Sequence, residues 1–130
     1  ELWTGDISIK ALTKLSNSDT PKKITLTKDH HYPRKIAAAE LFKLDWSTFL
    51  SPAEEVLKRY KTIYGRFNLV LPDENKYLVQ YQKGKVFVSP EDSYRKAGIS
   101  LIKISQEQLN KIKNGDRKIA ELALSNHLKS

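Results

Sequence analysis

A chain of 130 residues with 39% hydrophobic content can bury one real core and is too short for two ordinary domains, so it reads as a single domain over residues 1–130. Cysteine is absent, which excludes disulfides and thiolate metal sites and leaves His, Asp, Glu, Asn and backbone oxygens as possible ligands. The net charge of +8 argues for a polyanionic partner, nucleic acid first, and no apolar run approaches the length that crosses a bilayer.

Leu2 and Trp3 lead into Gly5-Asp6, after which Ile9, Leu12 and Leu15 recur at helical spacing, with Asp6 placed as the cap. Ser16 to Pro21 is a loop by composition. Ile24 and Leu26 then alternate with Thr25 and Thr27, the period of a half-buried strand, which delivers Asp29, His30 and His31 in succession and stops at Pro33. The run Arg34 to Leu44 is built from helix formers and starts directly behind the histidines, so its N-terminal dipole and basic residues would lie beside an anion bound there. Ser51-Pro52-Ala53-Glu54 reads as a capping box opening a helix that Gly65 ends, with Tyr60 and Tyr64 on its apolar face and expected in the core.

Phe67 to Leu71 reads as a short strand closed by Pro72. The next stretch admits two readings, a helix from Pro72 through Gln82, favoured by acids in its first turn, or a hairpin of Tyr77, Val79 and Tyr81 with Val86 to Val88, favoured by aromatic and β-branched content; the helix is preferred only on the resemblance given below. Ser89-Pro90 opens a short helix that Gly98 ends, Ile99 to Ile104 is a strand, and Ser105 to Gln108 is a capping box for another helix. Asn114-Gly115 breaks that helix before a last one with Ile119, Leu122 and Ala123 inward. The expectation is a small α+β domain with short strands and about five helices.

Set side by side, Asp29-His30-His31-Tyr32-Pro33 and Phe67-Asn68-Leu69-Val70-Leu71-Pro72-Asp73-Glu74-Asn75 resemble the HNH nucleases of the ββα-metal class. Members of that family carry an Asp-His followed shortly by Pro on a first strand, an Asn followed by aliphatic residues on a second, and a final Asn or His on the helix after it. The resemblance implies a ββα-metal core in which the helices between His31 and Asn68 are an insertion. It implies a metal-dependent endonuclease hydrolysing phosphodiester bonds in nucleic acid, DNA by preference, of the kind met in restriction, phage or toxin action. His30 would be the general base, Asp29 and Asn75 oxygen ligands to one divalent ion, and Asn68 a brace for the site. Oxygen ligands favour Mg or Mn. If His30 instead binds metal and His31 is the base, Zn or Ni becomes the fitting ion. Lys28, Arg34, Lys35 and Lys76 would hold the phosphate chain.

A non-catalytic basic nucleic-acid-binding domain is the alternative, with Asp29-His30-His31 a polar turn, and a protein module meeting an acidic partner is a third. A chain that starts on Glu1 rather than Met is expected to be processed, trimmed or cut from a longer protein. A cytoplasmic setting is expected unless the chain belongs to a secreted toxin; oligomeric state is not legible.

Overall fold

The computed structural model describes residues 2–30, 32–83 and 85–129, with the side chains of Arg34, Lys35 and Lys129 left aside. It is an α+β fold of four strands and, among the described residues, seven α-helices. The helix count exceeds the expected five or so, and each of the seven falls on a stretch that reads as helical in the sequence. Strand β1 (Leu2–Ser8) is followed by α1 (Ile9–Asn17), β2 (Thr27–His30), α2 (Arg34–Phe42), α3 (Pro52–Arg59), β3 (Arg66–Val70), α4 (Pro72–Val79), α5 (Pro90–Ala97), β4 (Leu101–Lys103), α6 (Gln106–Lys113) and α7 (Arg117–Lys129). The sheet runs in the order β2, β3, β1, β4. The central pair β1 and β3 is parallel, and both outer strands join antiparallel.

Alternation along β3 divides the core. Phe67 and Leu69 join a cluster with Ile7 of β1, Leu12 and Leu15 of α1, Leu109 and Ile112 of α6 and Ala120 of α7. Val70 packs instead with Leu78 of α4 and Tyr94 of α5. Two layers of helix thus cover the two faces of one sheet, and Asn68, which shares the parity of Val70, is buried on the α4 and α5 side.

Several local expectations change. Residues 2–8 form a strand, and the cap of α1 is Ser8, whose Oγ accepts from the Ala11 N–H at 3.0 Å, not Asp6. β1 carries a bulge between Trp3 and Ile7, which hides its alternation; Gly5 sits in it at φ 89°, a conformation that a side chain would strain. The predicted Ile24 to Thr27 strand is a 3₁₀ turn (Pro21–Lys23) and an irregular link, and pairing begins only at Thr27. Ser51 does not cap α3 through its side chain. That helix passes into a π-helical turn, Tyr60–Tyr64, before Gly65. Tyr64 is buried as expected, whereas Tyr60 is 43% exposed. The helix reading after Pro72 holds, although α4 stops at Val79 rather than Gln82.

Candidate functional site at the end of strand β2

Strand β2 is an edge strand whose register on β3 sets Asp29 directly opposite Asn68 and His30 opposite Phe67. Its alternation turns Asp29 inward, to 3% exposure. A carboxylate so buried needs donors. Tyr94 of α5 donates its hydroxyl to Asp29 Oδ2 at 2.5 Å, and Gln82 Nε2 lies 3.1 and 3.3 Å from the two carboxylate oxygens. The network continues inward. Asn68 Nδ2 donates to the Tyr94 hydroxyl oxygen at 3.1 Å, and the Thr4 hydroxyl donates to Asn68 Oδ1 at 2.5 Å. The bulge around Gly5 presents that hydroxyl, which also accepts from the Asp6 N–H at 3.0 Å. Asp29 is therefore tied through side chains to β3, to α5 and, through Thr4, to β1.

Tyr94 feels both its burial and its neighbour. Desolvation foremost, and then the negative charge and hydrogen bond of Asp29, push its phenol far above the ordinary value near 10. The hydroxyl thus stays a donor at any physiological pH.

Asp29 and His30 open onto a pocket of about 270 Å³ lined also by Lys28, Pro33, Asn75, Val79 and Gln82. Asn75 reaches it because Pro72 starts α4 immediately after β3, so the helix turns back over the β2 end of the sheet. The start of α4 is fixed by Glu74, a buried acid whose Oε1 accepts from the Leu71 N–H at 3.0 Å and from the Ser8 hydroxyl at 2.5 Å. Leaving the helix at Val79 frees Gln82 to turn toward Asp29.

The expected site residues divide accordingly. Asp29, His30, Asn75 and Lys28 line one pocket, and Asn68 stands behind Asp29 as a fully buried brace. The Lys28 ammonium also lies 4.9 Å from the centre of the Phe67 ring, which holds its stem along the strand. Lys76 is exposed on α4 and is not among the residues lining that pocket. His31 lies outside the described residues, as do the side chains of Arg34 and Lys35, although α2 begins at Arg34 as expected. Thr4, Tyr94 and Gln82 escaped the sequence reading. The one available signal was Tyr94 itself, a tyrosine between Ser93 and the helix-ending Gly98 whose polar end needs a partner once the ring is buried.

The pocket lining includes three residues with different ligating groups, the carboxylate of Asp29, the imidazole of His30 and the carboxamide of Asn75, with Asp29 and His30 on successive positions of β2 and so on opposite faces of the strand. Among the described residues no three His, Asp or Glu side chains form a metal cluster. The donor set suits a hard divalent ion that keeps much of its water, since such ions are held by one or two protein oxygens. A carboxylate offers about four acceptor positions, and Tyr94 and Gln82 are among the partners that Asp29 meets. No described helix is long and apolar enough to cross a membrane. Comparison with protein-family models, with curated proteins and with solved structures finds no match to this chain.

Proposed function

We propose that the protein is a metal-dependent endonuclease of HNH-like design that hydrolyses phosphodiester bonds in nucleic acid, with DNA as the first substrate to test. The observation that carries the reading is the order strand, strand, helix around one pocket. Asp29 and His30 end β2, Asn68 faces Asp29 across β3, and α4 follows at once to bring Asn75 to the same opening. This is the arrangement that the resemblance of the two short stretches implies, and it arises although a long insertion separates them.

Asp29 and Asn75 would hold the divalent ion, Mg or Mn by their oxygen chemistry. When bound, the ion supplies Lewis-acid charge beside the phosphoryl oxygens. His30 takes the proton of the attacking water at a ring nitrogen, a task for which an imidazole is suited near neutral pH. Lys28, at the pocket rim, neutralises a phosphate oxygen of the bound strand. Tyr94 acts behind Asp29, fixing the carboxylate's rotamer, while Gln82 donates to the same carboxylate from the pocket wall, where it competes with the ion.

A specific observation favours the second reading, a non-catalytic basic nucleic-acid-binding domain: Asp29 already carries a structural hydrogen-bond network of its own. Incubating the protein with plasmid and single-stranded DNA in Mg, Mn, Zn, Ni or EDTA separates the two. The nuclease cuts only with a divalent ion and loses cleavage in His30→Ala while retaining affinity. A folded protein that binds both substrates and cuts neither under any ion is the binding domain.

A further inference from the structure

A second pocket shares His30 and has a different character. It measures about 250 Å³ and is lined by His30, Ala37, Ala38, Leu41, Tyr60 and Tyr64. That is below the roughly 300–1,000 Å³ of sites for drug-sized ligands and suits one flat ring system. Its walls come from the insertion between β2 and β3: small residues of α2 on one element, and tyrosines of the π-helical turn on the other.

Tyr60 is held in an unusual way. A Cβ added to Gly65 would lie 2.6 Å from the ring carbon Cε1 of Tyr60, so the ring rests directly against the glycine backbone. It is nevertheless 43% exposed. A ring that is pinned and yet open is a platform more than a core residue, and π-helical turns are rare and frequent at functional sites. Tyr64 beside it is buried, its hydroxyl donating to Glu40 Oε2 at 2.9 Å and its ring edge-on to Tyr32 at 5.4 Å. Lys58 and Lys61 flank Tyr60 in the chain and are both exposed. Exposed aromatics interleaved with lysines are how proteins hold single strands, the charge following the backbone and the rings stacking the bases.

We infer that this pocket receives one unpaired nucleobase, stacked on Tyr60, from the strand whose phosphate lies at the Asp29 and His30 pocket. The inference rests on the nuclease reading for the position of that phosphate, and it assigns single-stranded or locally unpaired nucleic acid as the substrate class. His30 lines both pockets, so they are adjacent, and base and phosphate belong to neighbouring positions of one strand. Bases of an intact duplex are stacked on one another and cannot enter. Selectivity for unpaired strand follows from this geometry without any hydrogen-bond readout of sequence.

The test is a fluorescence titration in EDTA of an oligodeoxynucleotide carrying 2-aminopurine, single-stranded or in duplex, against the wild-type protein and variants. Stacking on one aromatic ring is worth about 5- to 150-fold in affinity. Tyr60→Ala should lose a factor in that range for the single strand together with the quenching of 2-aminopurine, should leave duplex binding unchanged, and should be rescued by Tyr60→Trp. Ala38→Leu fills the pocket without disturbing the packing of Tyr60 on Gly65. It should reproduce the loss, and so keeps the test decisive if Tyr60→Ala does not fold. Single-strand affinity and quenching unchanged in both variants, or no binding to either substrate, overturns the inference. Metal-dependent cleavage alongside Tyr60-indifferent binding overturns it while the nuclease reading stands. Tyr60-dependent binding without cleavage under any ion retires hydrolysis and supports the base pocket.

Discussion

The substitution Tyr94→Phe tests whether Asp29 is held as described. It deletes one oxygen and leaves the ring in the cluster with Val70 and Leu78. Two contacts go with that oxygen. The buried carboxylate of Asp29 loses its 2.5 Å donor, and the amide of Asn68, at 0% exposure, loses the acceptor that it meets at 3.1 Å. A hydrogen bond to a charged group contributes about 1.5–3 kcal/mol, and a buried donor left unsatisfied costs about 1–3 kcal/mol. Because the two share one atom, relaxation of one eases the other, and the expected loss is about 2–4 kcal/mol. For a domain of this size that corresponds to a fall in Tm of roughly 10 °C. Urea titration at neutral pH, monitored by far-UV circular dichroism, measures it. On the proposed nuclease reading cleavage should fall as well, since Asp29 then loses one of the contacts that fix its rotamer. A loss of under about 0.5 kcal/mol, the scatter of an ordinary surface substitution, would refute the network.

Three further outcomes follow from the same contacts. Tyr94 keeps its proton in the native state well above pH 10, whereas in the unfolded chain it ionises near 10. The unfolded state therefore binds fewer protons above pH 10, and stability should fall there by about 1.4 kcal/mol per pH unit through this one group; urea titrations from pH 9 to 11 should show that share vanish in Tyr94→Phe. Gly65→Ala would force a Cβ to within 2.6 Å of both the Tyr60 ring and the Tyr60 carbonyl oxygen; it should cost about 1–3 kcal/mol by overpacking, and a shift of Tyr60 fluorescence and proton resonances should accompany the loss. Gln82→Ala removes the donor at 3.1 and 3.3 Å from the carboxylate oxygens, so Mn affinity measured by calorimetry should rise if Asp29 ligates the ion, and unchanged affinity with unchanged cleavage would make Asp29 a brace alone.

What could be read from the sequence was what neighbouring residues decide. Ser89 and Ser105 cap α5 and α6 through their side chains because a hydroxyl three residues from a free N–H needs no tertiary help. The stretch after Pro72 was different, because acids in a first turn favoured a helix and aromatic and β-branched residues a hairpin, and only the resemblance of the two short stretches chose the helix that forms. β1 was illegible because the bulge at Gly5 interrupts its period, and the mislocated start of β2 shows the limit of alternation. Ile24 and Leu26 do alternate, and they pack against the core from an irregular link, while the real strand, Thr27–His30, carries no apolar residue at all. Its inward group is Asp29, which no hydrophobic period can announce. Within the site, the proximity of Asp29, His30, Asn68 and Asn75 was legible because two short stretches keep their order. Thr4, Gln82 and Tyr94 are not, since each meets its partner across a separation of 53 residues or more and carries no motif of its own.

The polar network also answers a problem that the insertion creates. β2 is short, lies at the sheet edge, and is separated from β3 by α2, α3 and the π-helical turn. Closing so long a connection costs entropy that grows with the logarithm of its length, and a strand without apolar residues gains little by burial to offset it. A slip of one residue would bring Lys28 or His30 to the inward position and expose Asp29. Only in the observed register does a carboxylate meet the Tyr94 hydroxyl, which itself is held by Asn68 on β3. A buried group that must be satisfied thus selects the register that hydrophobicity leaves open. The same selection fixes His30 in the lining of both pockets, so its position follows from the bonding of the residue before it.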